Sequence, residues 1–183
     1  MRARLAENGQ LLLMQMLPFD NRSEFQVVAD MPAGTSLERT AAVLHEMGSY
    51  LASVPEVANY QAFAGTSAPI NFNGLVRQYY LRRGSELGDL QVNLVDKAHR
   101  DDQSHAIATR VRPGLTRIGD AHGARVKVVE VPPGPPVLSP IVAEIYGPDE
   151  PGRHALAKSV RAEFGKEPGI VGIDDSIEDH APR

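Results

Sequence analysis

A chain of 183 residues with 42% hydrophobic content and a formal net charge of −4 has the composition of a soluble globular protein, of a length that suits one large domain or two small ones. No tryptophan and only 5% aromatic residues mean an aliphatic core, and no cysteine means no disulfide, thiolate nucleophile or cysteine-bound metal. The negative balance, with no basic cluster beyond Arg77, Arg82 and Arg83, argues against a nucleic-acid module, and those three arginines read as a solvated loop.

In chain order, the first feature is the apolar run Leu11 to Leu17 (LLLMQML), far short of the roughly 20 residues a membrane-crossing helix needs. Arg2 and Arg4 before it imitate a secretion signal, but Glu7 and the missing small-residue cleavage site count against one, so residues 1–23 read as a lead-in whose apolar run is a docking strand or the stub of something removed. From Glu24 to Asp30, Phe25, Val27 and Ala29 alternate with polar neighbours, the period of a strand. Pro32 and Gly34 end it, and Thr35 or Ser36 offers an N-cap, with Glu38 at capping-box spacing from Thr35. Leu37, Ala41, Leu44, Gly48 and Leu51 then form one helical stripe, which Pro55 closes before a strand from Glu56 to Thr66.

The stretch from Ser67 to Gly88 reads as a long connection, of the kind that tends to carry function, in which Asn71 to Leu81 could hold a short helix or a strand. Asp89 to Asp96 resumes the strand alternation through Leu90, Val92 and Leu94. After a charged turn, Ile107, Val111, Leu115 and Ile118 share a helical stripe that Pro113 should bend without splitting, and Gly123 marks its stop. Arg125 to Val131 is a fourth strand. The prolines at 132, 133, 135 and 136 fit neither a helix interior nor a central strand, so residues 132–139 read as a linker. Beyond it, Ile141 to Tyr146 reads as a strand, Arg153 to Phe164 as a helix and Gly169 to Ile173 as another strand. The predicted class is therefore α+β: a ferredoxin-like split βαβ unit over residues 24–131, with both helices on one sheet face, and a partial βαβ unit over residues 140–183.

No catalytic constellation stands out. The six histidines, at 45, 99, 105, 122, 154 and 180, lack metal-pair spacing and read as surface residues. The glycines make no phosphate loop, and neither Ser67 nor Ser104 sits in a nucleophile elbow. The expectation is a protein that is not an enzyme, with no cofactor and no metal.

Four stretches then carry a resemblance: MLPFDNRSEFQVVADMPAGTSLERT (16–40), VPEVANYQAFAG (54–65), NFNGLVRQYYLRR (71–83) and VPPGPPVLSPIVAEIYGPD (131–149). Together, in this order, they resemble the second large extracytoplasmic loop of resistance-nodulation-division (RND) efflux transporters of the acriflavin-resistance type, and the resemblance spans Met16 to about Glu178. It implies a piece of a proton-driven exporter on the periplasmic side of the inner membrane, working in a homotrimer with a periplasmic adaptor and an outer-membrane channel. Its proton-carrying aspartates would lie in membrane helices outside this sequence.

The family's substrate cleft, carried onto this chain, points to Gln61 and Phe63 on a strand, to Ser67, Phe72 and Asn73 in a gating loop, and to Tyr79 beyond it. Small amphiphilic organic compounds are the implied substrates, since apolar pockets with a few polar groups suit them. The competing reading is that Phe63, Phe72 and Tyr79 simply pack beneath the loop. Met31 and Met47, the soft ligands a metal-exporting branch would use, read as packing residues. Two further readings are a free-standing small-molecule-binding protein built from the same units and a small enzyme of ferredoxin-like fold. An incomplete second unit would also leave a sheet edge open, so the isolated chain is expected to self-associate there or to dock Leu11 to Leu17 onto it.

Overall fold

A computed structural model describes the backbone of residues 3–7 and 10–14 and, with side chains, residues 20–69, 81–130, 141–167, 170, 173 and 175. Strands β1 (Ala3–Glu7) and β2 (Gln10–Met14) pair antiparallel, from Ala3 opposite Met14 to Glu7 opposite Gln10. The residues between them in sequence are Asn8 and Gly9, a pair strongly favoured in two-residue hairpin loops. Leu11 to Met14 are thus committed to their own hairpin, whose two strands form a separate sheet, and not to the open edge of the second unit expected from the sequence; the rest of the run lies outside the described residues.

The main unit runs β3 (Glu24–Asp30), α1 (Leu37–Ala52), β4 (Val57–Thr66), β5 (Arg83–Leu94), α2 (Ser104–Ala121) and β6 (Arg125–Val129). Its four strands are ordered β4-β5-β3-β6, all antiparallel to their neighbours, which is the split βαβ arrangement the sequence predicts. Ser36 is the N-cap of α1, its hydroxyl accepting from the Arg39 amide, while the Thr35 hydroxyl donates to the Pro32 carbonyl. With the cap at Ser36 the box position falls to Arg39, so the Thr35–Glu38 capping box does not form.

The core lies between the helices and one sheet face. Leu44, Leu51, Val111 and Leu115 pack with Phe25, Val27, Leu90 and Val92, with Val126 and Val128 partly buried at the margin, as the alternation predicts. Met31 and Met47 belong to the same cluster. The stripe of α1 is rotated from the predicted one: Thr40, Val43 and Met47 are buried, whereas Leu37 and Ala41 are exposed. Each fully buried Leu or Val contributes about 2 kcal/mol through removal of apolar surface from water. Pro113 lies inside α2, which continues through it as one helix, and Gly123 at φ 69° ends the turn that follows.

Two further expectations are overturned. Strand β5 begins at Arg83, six residues earlier than read from the sequence, because Gly84 and Gly88 are strand residues here and not loop markers. Gly88 is needed for packing: a Cβ there would stand 2.7 Å from Leu44 Cδ1, so its absence lets α1 settle onto the sheet. The strand expected at Ile141 to Tyr146 is not formed; Ile141, Val142 and Tyr146 are exposed and pair with no neighbour among the described residues. Apolar alternation marks a strand only where another strand takes up its amides and carbonyls.

The third helix, α3 (Glu150–Phe164), starts three residues earlier than predicted because Asp149 caps it, accepting from the Gly152 amide at 2.7 Å. Ile170 and Ile173 are not in a strand, and the rest of the strand predicted at 169–173 lies outside the described residues, as does the linker at 132–139.

Candidate functional site

The two faces of the main sheet differ. Side chains alternate along each strand, so the residues that face the helices (Phe25, Val27, Tyr60, Leu90, Val92) leave Gln26, Val28 and Asp30 of β3, Asn59, Gln61 and Phe63 of β4, Asp89, Gln91 and Asn93 of β5, and Lys127 of β6 on the other side. No described helix packs on this second face.

Polar pairs cross this face in rows. The Asn93 amide donates to Asn59 Oδ1 at 2.7 Å, Gln91 Nε2 to Glu24 Oε2 at 3.0 Å, and Gln26 Nε2 to Asp89 Oδ2 at 3.0 Å. The last pair is buried, with Gln26 2% and Asp89 0% exposed.

Asp89 is the centre of the face. Its Oδ2 also accepts from the Ala68 backbone amide at 2.9 Å, and its Oδ1 lies 3.8 Å from Arg82 Nε without a hydrogen bond of its own. Arg82 pairs with Asp30 Oδ1 at 2.6 Å, and Lys127 Nζ approaches the other Asp30 oxygen at 3.8 Å. Two carboxylates and two cations thus form a nearly enclosed network. Burial pushes the Asp89 carboxyl above its ordinary pKa, the Ala68 amide, Arg82 and Gln26 pull it partly back, and Asp30 adds to the upward push. A buried carboxylate bound on each side in sequence of residues 70–80 fixes where that connection leaves and rejoins the sheet.

Of the residues proposed from sequence, Gln61 and Phe63 stand two apart on β4 on this second face. Gln61 lies opposite Gln91 and Phe63 opposite Asp89 in the ladder. Gln61 is exposed and Phe63 half-buried. Ser67 follows β4 directly and precedes the Ala68 amide that binds Asp89. The structure therefore brings Gln61, Phe63 and Ser67 to one region; Phe72, Asn73 and Tyr79 lie outside the described residues, as does Arg77. Arg82 departs from its expected place in a solvated loop: its side chain is 15% exposed, drawn in by Asp30 and Asp89.

Sequence reasoning missed Asp30, Asp89 and Arg82 as a group. The available signal was an aspartate among the apolar residues of a strand, with an arginine a few residues upstream.

Elsewhere, a depression lined by Glu56, Val95, His99, Arg100, Asp101 and Asp102 collects none of the predicted residues. Arg100 there is spent on structure, donating to Asn21 Oδ1 and to the backbone carbonyls of Arg22, Val95 and Asp102. Among the described residues there is no group of three or more His, Asp or Glu placed to hold a metal ion, and no helix long and apolar enough to cross a membrane. In comparisons with protein-family models and with curated proteins, the chain matches none.

Proposed function

We propose that the chain is the substrate-path portion of a proton-driven RND exporter, a non-enzymatic unit on the periplasmic side of the inner membrane that contacts small amphiphilic organic compounds. The observation that supports this is the polar sheet face on which Phe63 and Gln61 stand side by side next to Ser67, an aromatic surface among hydrogen-bonding groups. Asp89 and Arg82 hold that surface to the connection that follows β4.

A second reading, a free-standing small-molecule-binding protein, draws on the completeness of the βαββαβ unit, whose core closes between its own helices and sheet. The two separate by genomic sequence and by binding. A reading frame that continues on both sides into segments coding for long apolar helices favours the exporter, whereas stop codons on both sides favour the free-standing binder. Titration of the chain with N-phenyl-1-naphthylamine, a neutral amphiphilic dye, should give saturable fluorescence enhancement. Absence of saturable binding up to dye solubility removes the basis of both.

A further inference from the structure

The two free edges of the main sheet are built differently, and from this difference we infer that β4 is an interface between two copies of this chain. Among the described residues, each edge presents backbone amides and carbonyls with no neighbour in the sheet. On β6, the five residues Arg125–Val129 include Arg125 and Lys127, so two copies meeting there would bring like charges together. Strand β4 has ten residues, Val57–Thr66, and none is charged or proline.

The register shifts of β4 fall at its ends, between Val57 and Asn59 and between Ala64 and Thr66, leaving Asn59 to Ala64 in regular pairing. The latter shift sits at Gly65, whose φ of 74° suits a bulge. None of the usual defences of an edge strand, a lysine, a proline or a central bulge, interrupts those six residues.

The occupant that fits is a second copy related by a two-fold axis through the middle of β4, at Gln61 or Ala62. Antiparallel pairing continues the pattern of the existing sheet, a neutral strand meets itself without repulsion, and each copy supplies the donors and acceptors the other lacks. The result is an eight-stranded antiparallel sheet. Because the axis is perpendicular to the sheet, Gln61 and Phe63 of both copies come onto one continuous face beside the seam. The inference is independent of whether that face binds a ligand.

The absence of native cysteine makes the test direct. Sedimentation velocity at about 100 µM should show a dimer, and single-cysteine variants Gln61→Cys and Ala62→Cys should between them give an oxidised cross-linked dimer at least tenfold faster than Arg125→Cys on β6. Ala62 is exposed, so its charged variants are expected to keep the wild-type circular dichroism. Ala62→Lys and Ala62→Glu should each be monomeric alone and form a mixed dimer when combined. A wild-type monomer at that concentration, cross-linking that favours β6, or charged variants that stay dimeric alone would overturn the inference.

Discussion

Asp89 and Arg82 meet on the helix-free side of the sheet, Oδ1 to Nε at 3.8 Å, with the Asp89 side chain 1% and the Arg82 side chain 15% exposed. Two residues from the same stretch of chain, one mid-strand and one just before the strand begins, are thereby folded back on each other. Burial is the largest influence on Asp89 and raises its pKa, so the folded chain holds the Asp89 proton more tightly than the unfolded chain does. Stability from this group is therefore greatest below the ordinary aspartate pKa and falls as pH rises through the raised, folded value. Denaturant midpoints of the wild type and Asp89→Asn, compared from pH 4 to pH 7, should show the wild type losing ground to the variant as pH rises. A gap that is constant or that moves the other way would reject a raised Asp89.

Removing Arg82 should be costly for a related reason. Arg82→Ala takes away the cation shared by Asp89 and Asp30, while Lys127, 3.8 Å from Asp30, stays in place. Breaking a largely buried pair by deleting one partner costs about 3 kcal/mol at pH 7. The cost should shrink in acid, where Asp89 takes up a proton, and urea unfolding at pH 7 and pH 4.5 would show whether it does.

Glu56 should respond to pH in the opposite sense. Its pKa is lowered, chiefly by the hydrogen bond from Arg110, whose two terminal nitrogens reach Glu56 and Asp102 at 2.6 Å each. A lowered carboxylate contributes stability above its unfolded pKa and loses it as pH falls through the folded one. Arg110 is half exposed, so Arg110→Ala should cost only about 0.5–1 kcal/mol at pH 7. That difference should shrink as pH falls below the ordinary glutamate range, and thermal melts from neutral to acidic pH would measure it.

Gly48 and Tyr60 should show strong coupling. A Cβ on Gly48 would collide with the Tyr60 ring, so α1 and β4 approach as closely as they do with a bare residue at 48 and the ring laid over it. Gly→Ala within a helix otherwise gains about 1 kcal/mol, whereas overpacking costs about 1–3 kcal/mol. Gly48→Ala should thus destabilise the wild type and stabilise a Tyr60→Ala background, a change of sign that urea titrations of the four proteins would reveal.

What the sequence disclosed and what it withheld follow from the range of the forces involved. Alternation from Glu24 to Asp30 and from Asp89 onward, and the stripe through Ile107, Val111 and Leu115, are local records of one-sided burial, and the split βαβ unit emerges from them. Gly88 and Gly84 misled because a glycine that admits a helix and a glycine that turns a loop are the same letter; only the position of Leu44 tells them apart. Ile141 to Tyr146 misled because a strand needs a partner as well as a pattern. Within the candidate site, Gln61 and Phe63 rest on the resemblance, to which the structure adds that they share one face of the sheet. The Asp89 network is not legible in the sequence, since Gln26 and Asp89 stand 63 residues apart, Lys127 lies further along still, and they meet only when β3 pairs with β5 and β6.

The role of Phe63 distinguishes a binding face from a merely packed one. It is half-buried on β4 opposite Asp89, neither in the hydrophobic core cluster nor fully in solvent. If its ring meets an amphiphilic ligand, Phe63→Ala should weaken N-phenyl-1-naphthylamine binding about tenfold, the equivalent of about 1.4 kcal/mol, while lowering stability by less than about 1 kcal/mol. If the ring instead packs beneath the connection after β4, the loss should appear as stability, approaching the roughly 3 kcal/mol of a core Phe→Ala change, with dye affinity unaltered. Gln61→Ala, at an exposed neighbouring position on the same face, should leave stability unchanged on either account and reduce affinity only on the first. Fluorescence titration and urea unfolding of the two variants together decide between these outcomes, and an affinity unmoved by both substitutions would remove Gln61 and Phe63 from the proposed substrate path.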